Sequence, residues 1–277
     1  MERRYFLLTS ALGAAGAAAT RLLPAQGRET TAENAGEGNA GSDSARRAAT
    51  RKILIAGGNY GTAYIRYMAQ LTGKPRPKIC YLPTASADGL DAIVAFYRQC
   101  ATLEIEPHDQ PAFIESLTQP NGWDEVLLSM DGIVVSGGNT LNQQAIWKAQ
   151  GIDVVLREAW DRGIVLGGAS AGSLCWFEEG TTDSRPKALS IVKCLGFLKG
   201  SHSPHYDAEP GRRPLYQKLI GSGEMKPGYA CDNDAGIYFE DNEVKRVVAT
   251  RAAAKVYYVS LVGGVVTERV LEPERIT

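Results

Sequence analysis

The chain has 277 residues, 44% hydrophobic and 22% charged, the proportions of an ordinary globular enzyme. Thirty Lys and Arg side chains against 31 Asp and Glu leave a net charge of -1, which excludes the basic footprint that nucleic acid or an anionic membrane surface requires. Three histidines, and five cysteines scattered without a C-x-x-C or H-E-x-x-H pattern, exclude a recognisable zinc framework, so neither metal nor cofactor is expected and the partner expected is a small peptide or other small molecule.

In chain order, residues 1–25 place Arg3-Arg4 before Phe6-Leu7 and an Ala/Gly-rich run too mild and short for a stable membrane span. The segment resembles a twin-arginine export signal, which implies a periplasmic destination; without a working signal the chain stays cytoplasmic. Residues 26–50 carry almost no large apolar side chains and are expected to form a disordered linker. Residues 51–277 are within the size that one core supports and are expected to form a single catalytic domain.

Apolar runs at Ile53–Ala56, Ile79–Leu82, Gly132–Val135 and Ile164–Gly167 predict buried parallel strands, each followed by a helical period. The clearest helices are Leu90–Leu103 and Asp153–Arg162, the second with Val155, Leu156 and Ala159 on one face. This alternation predicts an α/β fold, a doubly wound and mainly parallel sheet flanked by helices, with ligands at the carboxyl ends of the strands. Beyond residue 229 the segments Ile237–Phe239, Val247–Ala249 and Val256–Val259 predict a small antiparallel C-terminal extension.

Gly168-Ala169-Ser170-Ala171-Gly172 follows the fourth strand and precedes a helix-like stretch, so Ser170 stands at the tip of a strand-turn-helix elbow as a candidate nucleophile. Cys175, further along, reads as packing against the sheet. A second loop, Ser136-Gly137-Gly138-Asn139-Thr140, ends the third strand and starts a helix capped near Asn139 or Thr140. The amide of Ala171 with that of Gly137 or Gly138 would form an oxyanion hole. A phosphate-binding reading of this loop lacks the Lys-Ser/Thr that should follow. His205 is the candidate base, presented from a segment that Pro204 stiffens; His202 is expected in an exposed loop, and His108 in a surface loop after a strand. Asp183, Asp207, Asp232 and Asp234 are open as the carboxylate that orients the imidazole, though Asp207 is awkwardly near in sequence.

Ser136–Thr140, Gly168–Gly172, Thr181-Thr182-Asp183-Ser184 and Ser203–Asp207 resemble, in order, the motifs of the peptidase E (aspartyl dipeptidase) family of serine peptidases. Ile79–Ser86 resembles that family's early strand and loop, and Asp232–Gly236 its late acidic turn. The resemblance implies a class I glutamine-amidotransferase-like fold, with Ser170 as nucleophile, His205 as base and Asp234 as acid, Asp183 being the alternative acid. It further implies an oxyanion hole from Gly138 and Ala171, with Asn139 touching substrate. An N-terminal aspartyl preference needs a cation near the site, for which Arg212 and Arg213 are the candidates. A cyanophycinase-like peptidase and an inactive secreted binding module of the same fold are the alternatives. A glutamine amidotransferase would need cysteine at position 170.

Overall fold

The computed structural model describes residues 49–113 and 116–277, so the segment expected to be an export signal and nearly all of the expected linker lie outside the described residues. In chain order the elements are β1 (Lys52–Ala56), α1 (Thr62–Thr72), β2 (Lys78–Leu82), α2 (Leu90–Cys100), β3 (Glu106–Asp109), α3 (Trp123–Leu127), β4 (Gly132–Val135), α4 (Thr140–Gln150), α5 (Ile152–Asp161), β5 (Val165–Ala169) and α6 (Ala171–Leu174). Then follow β6 (Glu179–Thr182), β7 (Ser190–Lys193), β8 (Ser201–Ser203), α7 (Arg212–Gly221), β9 (Gly228–Cys231), β10 (Ala235–Glu240), β11 (Glu243–Ala249), β12 (Val256–Val262), β13 (Val265–Leu271) and β14 (Glu274–Arg275).

One sheet has the order β14-β11-β10-β1-β5-β4-β2-β3, and its five strands from β1 to β3 run parallel. The four predicted strands are β1, β2, β4 and β5. Their apolar runs are unbroken because both faces are covered. Ile53 and Ile55 enter a core cluster with Trp147, Leu156 and Trp160 of α4 and α5, whereas Leu54 and Ala56 enter another with Ile65 and Met68 of α1 and Phe96 of α2. Successive side chains of one strand thus join opposite layers.

The C-terminal antiparallel segments are present but divided. β10 pairs antiparallel to β1 and β11 antiparallel to β10, extending the first sheet, while β12 and β13 belong to a second sheet, β13-β12-β9-β8-β6-β7. α7 packs on that second sheet through Tyr216, Leu219 and Ile220. His108 is not in a loop: it pairs with Cys80 on β3, an edge strand, where Pro107 is tolerated because no outer neighbour needs its missing N–H.

Candidate active site

β1, β5 and β4 are adjacent, and their carboxyl ends deliver three loops to one place. The first is the elbow. Ser170 sits between β5 and α6 with φ 58° and ψ -118°, a conformation that costs a non-glycine residue energy and is typical of a side chain held for chemistry. The turn is close enough to β4 that a Cβ at Gly172 would lie 2.1 Å from the Val135 carbonyl oxygen, which explains the small residue there. Half-buried Ser170 keeps its hydroxyl accessible while Ala169 and Ala171 on either side are buried.

His205 follows β8 and Pro204, with φ 53° and its amide bonded to the Gly57 carbonyl. Its Nε2 is 2.8 Å from Ser170 Oγ, and its Nδ1 is 2.7 Å from Asn233 Oδ1. An amide oxygen only accepts, so Nδ1 carries the proton and donates to Asn233; Nε2 is then free to accept the Ser170 hydroxyl proton. Ser170 and His205 therefore meet as the sequence predicts.

Asp234 does not meet the imidazole. Its φ of 68° turns it away, so that Oδ1 accepts from Asn59 Nδ2 at 2.9 Å and Oδ2 pairs with Arg251 Nε at 3.1 Å. The residue one position earlier, Asn233, takes the place expected for the acid. Behind it, Asp207 accepts the Asn233 amide proton at 2.8 Å and pairs with Arg251, whose guanidinium also reaches the Asn233 carbonyl at 2.9 Å. Two carboxylates thus share one guanidinium behind the neutral amide, which fixes the turn that carries Asn233. Asp232 is buried, which pushes its carboxyl upward, and it accepts from the Lys255 amide.

Asp183 is not a partner of the imidazole, which bonds to Ser170 and Asn233, and lies 3.6 Å from Arg212. Arg212 is buried, donating to Glu209 at 2.7 Å and to the Thr181 carbonyl at 2.6 Å. Arg213 pairs with Glu268 beside the rings of Tyr206 and Tyr257. Both arginines are thus engaged in holding the second sheet and α7. Asn139 is engaged too: its Oδ1 caps α4 through the Asn142 amide at 3.0 Å and its Nδ2 donates to the Ser184 carbonyl at 3.2 Å. Substrate contact by its side chain would cost that cap. Gly137 and Gly138 are exposed and approach the elbow, a Cβ at Gly137 lying 3.9 Å from Ser170 Oγ. Among the described residues no acceptor takes the amide protons of Gly137, Gly138 or Ala171.

His202, expected in an exposed loop, is wholly buried on β8. It stacks on Phe177, its Nε2 lies 3.0 Å from Ser173 Oγ and its Nδ1 3.0 Å from the Tyr229 carbonyl. Burial pushes its pKa down to about 3, so it is a neutral core residue. Cys175 is buried in the core as predicted, and burial drives its thiol well upward, away from thiolate chemistry.

The loop after β1, Gly57-Gly58-Asn59, was absent from the sequence expectations. It is bridged to Asn233 at Gly58 and carries the Asn59 contact to Asp234. Its signal was visible: Gly-Gly-Asn after an apolar strand, the same tripeptide as at 137–139.

A serine paired to a correctly tautomeric histidine, at the carboxyl edge of a parallel sheet, defines a hydrolase-like site on a class I glutamine-amidotransferase-like fold. The family model for peptidase family S51 matches residues 53–247, and the chain belongs to that family of peptidases. It is 43% identical over 198 residues to the uncharacterized peptidase YgaJ of Bacillus subtilis (strain 168), covering 71% of this chain and 84% of that one. Two solved structures share the fold. One, from Listeria monocytogenes EGD-e, is described as a candidate peptidase E protein and gives a TM-score of 0.57 at 19% identity, over 73% of this chain and all of that one. The other is a peptidase from an acI-B1 Actinobacterium, with a TM-score of 0.61 at 16% identity, over 82% of this chain and 96% of that one.

Proposed function

We propose that this peptidase is of the serine type and cleaves short peptides through an acyl-enzyme. The observation that carries the reading is the chain of two hydrogen bonds from Ser170 Oγ through His205 to Asn233 Oδ1. His205 Nε2 takes the hydroxyl proton as Ser170 Oγ attacks the substrate carbonyl carbon, and the amides of Gly138 and Ala171 receive the oxyanion. The imidazolium then gives its proton to the leaving amine, and water, activated by the same nitrogen, releases the acyl group. Asn233 holds the ring in register, in the role that the family resemblance gave to Asp234.

An N-terminal aspartyl preference, and with it the name dipeptidase E, would need a cation at the acyl subsite. Arg212 and Arg213 are paired elsewhere, so the reading stops at short peptides. Labelling with a small fluorophosphonate tests it: Ser170 is expected to be modified, Ser170→Ala to abolish the label and His205→Ala to reduce it strongly. Absence of label on folded protein would favour the inactive binding module, and release of aspartyl-arginine from its polymer would favour the cyanophycinase-like activity. Asn233→Ala is expected to lower kcat roughly tenfold or more through loss of ring orientation, whereas Asp234→Asn stays within a few fold. The reverse result would return the role to Asp234.

A further inference from the structure

A cavity of about 290 Å³ is lined by Ser170 together with its neighbours Gly137 and Ala169. Its walls are Tyr60, Tyr81, Ala95, Phe96, Gln99 and Val134, supplied by the loop between β1 and α1, the strands β2 and β4, and α2. The rings of Tyr81 and Phe96 stack at 4.9 Å and 10°, so this wall is flat and aromatic. No lining residue is charged. Resting on the serine mechanism above, we propose that this cavity is the acyl-side specificity pocket and that it selects peptides whose N-terminal residue is aromatic or large and aliphatic.

Three observations support the assignment. The lining includes Ser170 and Gly137 of the loop assigned to the oxyanion and not His205, which returns the proton to the leaving amine, an arrangement that suits the acyl rather than the leaving side of the scissile bond. Its size suits a benzyl or isobutyl group, since a cavity of about 150 Å³ already admits benzene. An aspartate side chain would enter it without a counter-ion: Arg212 is paired with Glu209 and Asp183, Arg213 with Glu268, and Arg251 with Asp207 and Asp234. A carboxylate moved from water to an apolar site without a partner is penalised, whereas an apolar side chain gains from leaving water.

The test uses the full chain and four dipeptides with a common leaving residue, Phe-Ala, Leu-Ala, Ala-Ala and Asp-Ala, alongside fluorophosphonate labelling of Ser170. Expected is a kcat/KM for Phe-Ala or Leu-Ala at least tenfold above that for Asp-Ala. Ala95→Trp, a change on the exposed side of α2, should lower the Phe-Ala to Ala-Ala ratio at least tenfold by filling the cavity. Gln99→Arg should raise Asp-Ala relative to Phe-Ala, and does not depend on the bulk of a new ring. Labelled protein that prefers Asp-Ala, or whose selectivity neither variant moves, overturns the pocket assignment alone. Folded protein that neither labels nor turns over any dipeptide overturns the serine mechanism and the pocket with it.

Discussion

Gly57-Gly58-Asn59 and Gly137-Gly138-Asn139 are the same tripeptide, each placed at the carboxyl end of a parallel strand two positions apart in one sheet. In the first, both glycines are buried and the asparagine is exposed; in the second, both glycines are exposed and the asparagine is half-buried. The first pair lets polypeptide approach polypeptide. Gly57 bonds to Ala235 and receives the His205 amide, and Gly58 receives the amide of Asp234, so this loop fastens the histidine segment to the turn that holds Asn233. The second pair leaves amide protons that find no internal acceptor among the described residues, beside the nucleophile. Asn59 reaches outward to Asp234, while Asn139 turns inward to cap a helix. Glycine is required twice, once for what must fit against it and once for what it leaves open.

The hardest test of this contrast is Gly58→Ala. The new methyl carbon would lie 2.2 Å from Asn233 Oδ1 and 2.8 Å from His205 Nδ1, displacing the two side chains that orient the base. Both can move, so the fold should survive while kcat/KM falls about a hundredfold, the penalty of roughly an ångström of misplacement at a reacting centre. Peptide turnover read beside circular dichroism checks it; an active variant would mean that the first loop is only a spacer. Gly138→Ala should act differently. With φ at +133° and a Cβ 2.1 Å from the Ala85 carbonyl oxygen, the strain falls on backbone and is expected to cost about 2 kcal/mol of stability. Thermal unfolding should therefore come roughly 4–8 °C earlier, with slower Ser170 labelling as the second loop shifts. An unchanged Tm with slowed labelling would confine the role of this glycine to the amide it presents.

Sequence reading was strong where burial is apolar and weak where it is polar. β1, β2, β4 and β5 are continuous apolar runs, and Ser170 and His205 are chemically conspicuous residues in stiff, small-residue contexts. β6, β7 and β8 are short and rich in Ser, Thr and His, with no period to follow. They are held by side-chain hydrogen bonds: Thr181 to Ser203 at 2.8 Å, Ser201 to Tyr216 at 2.7 Å and His202 to Ser173. Hydrophobic patterning cannot see such a core, which is why His202 read as exposed. Asn233 was missed for a different reason. The search was for a carboxylate, yet the Nδ1 proton asks only for an oxygen acceptor, and the positive φ of Asp234 decides which of two neighbouring side chains faces the ring. Arg212 and Arg213, adjacent and chemically alike, likewise part company at the start of α7, one buried under β6 and the other on the surface.

The smallest expected effect separates the two asparagines. Asn139→Ala removes the acceptor for the Asn142 amide and the donor to Ser184, and loss of a helix cap of this kind costs about 1 kcal/mol. Tm should fall by roughly 2–4 °C. Because the backbone amides of Gly137 and Gly138 are unaltered, kcat/KM should stay within about threefold, in contrast to Gly58→Ala, where stability is kept and turnover is lost. Family resemblance alone argues the other way, placing this side chain on substrate. A rise in KM with Tm unchanged would mean that the amide leaves its cap when peptide binds, and that the second loop serves recognition through its asparagine as well as through its glycines. A fall in Tm with KM unchanged assigns Asn139 to the helix, and leaves direct contact with the reacting carbonyl to groups that carry no side chain.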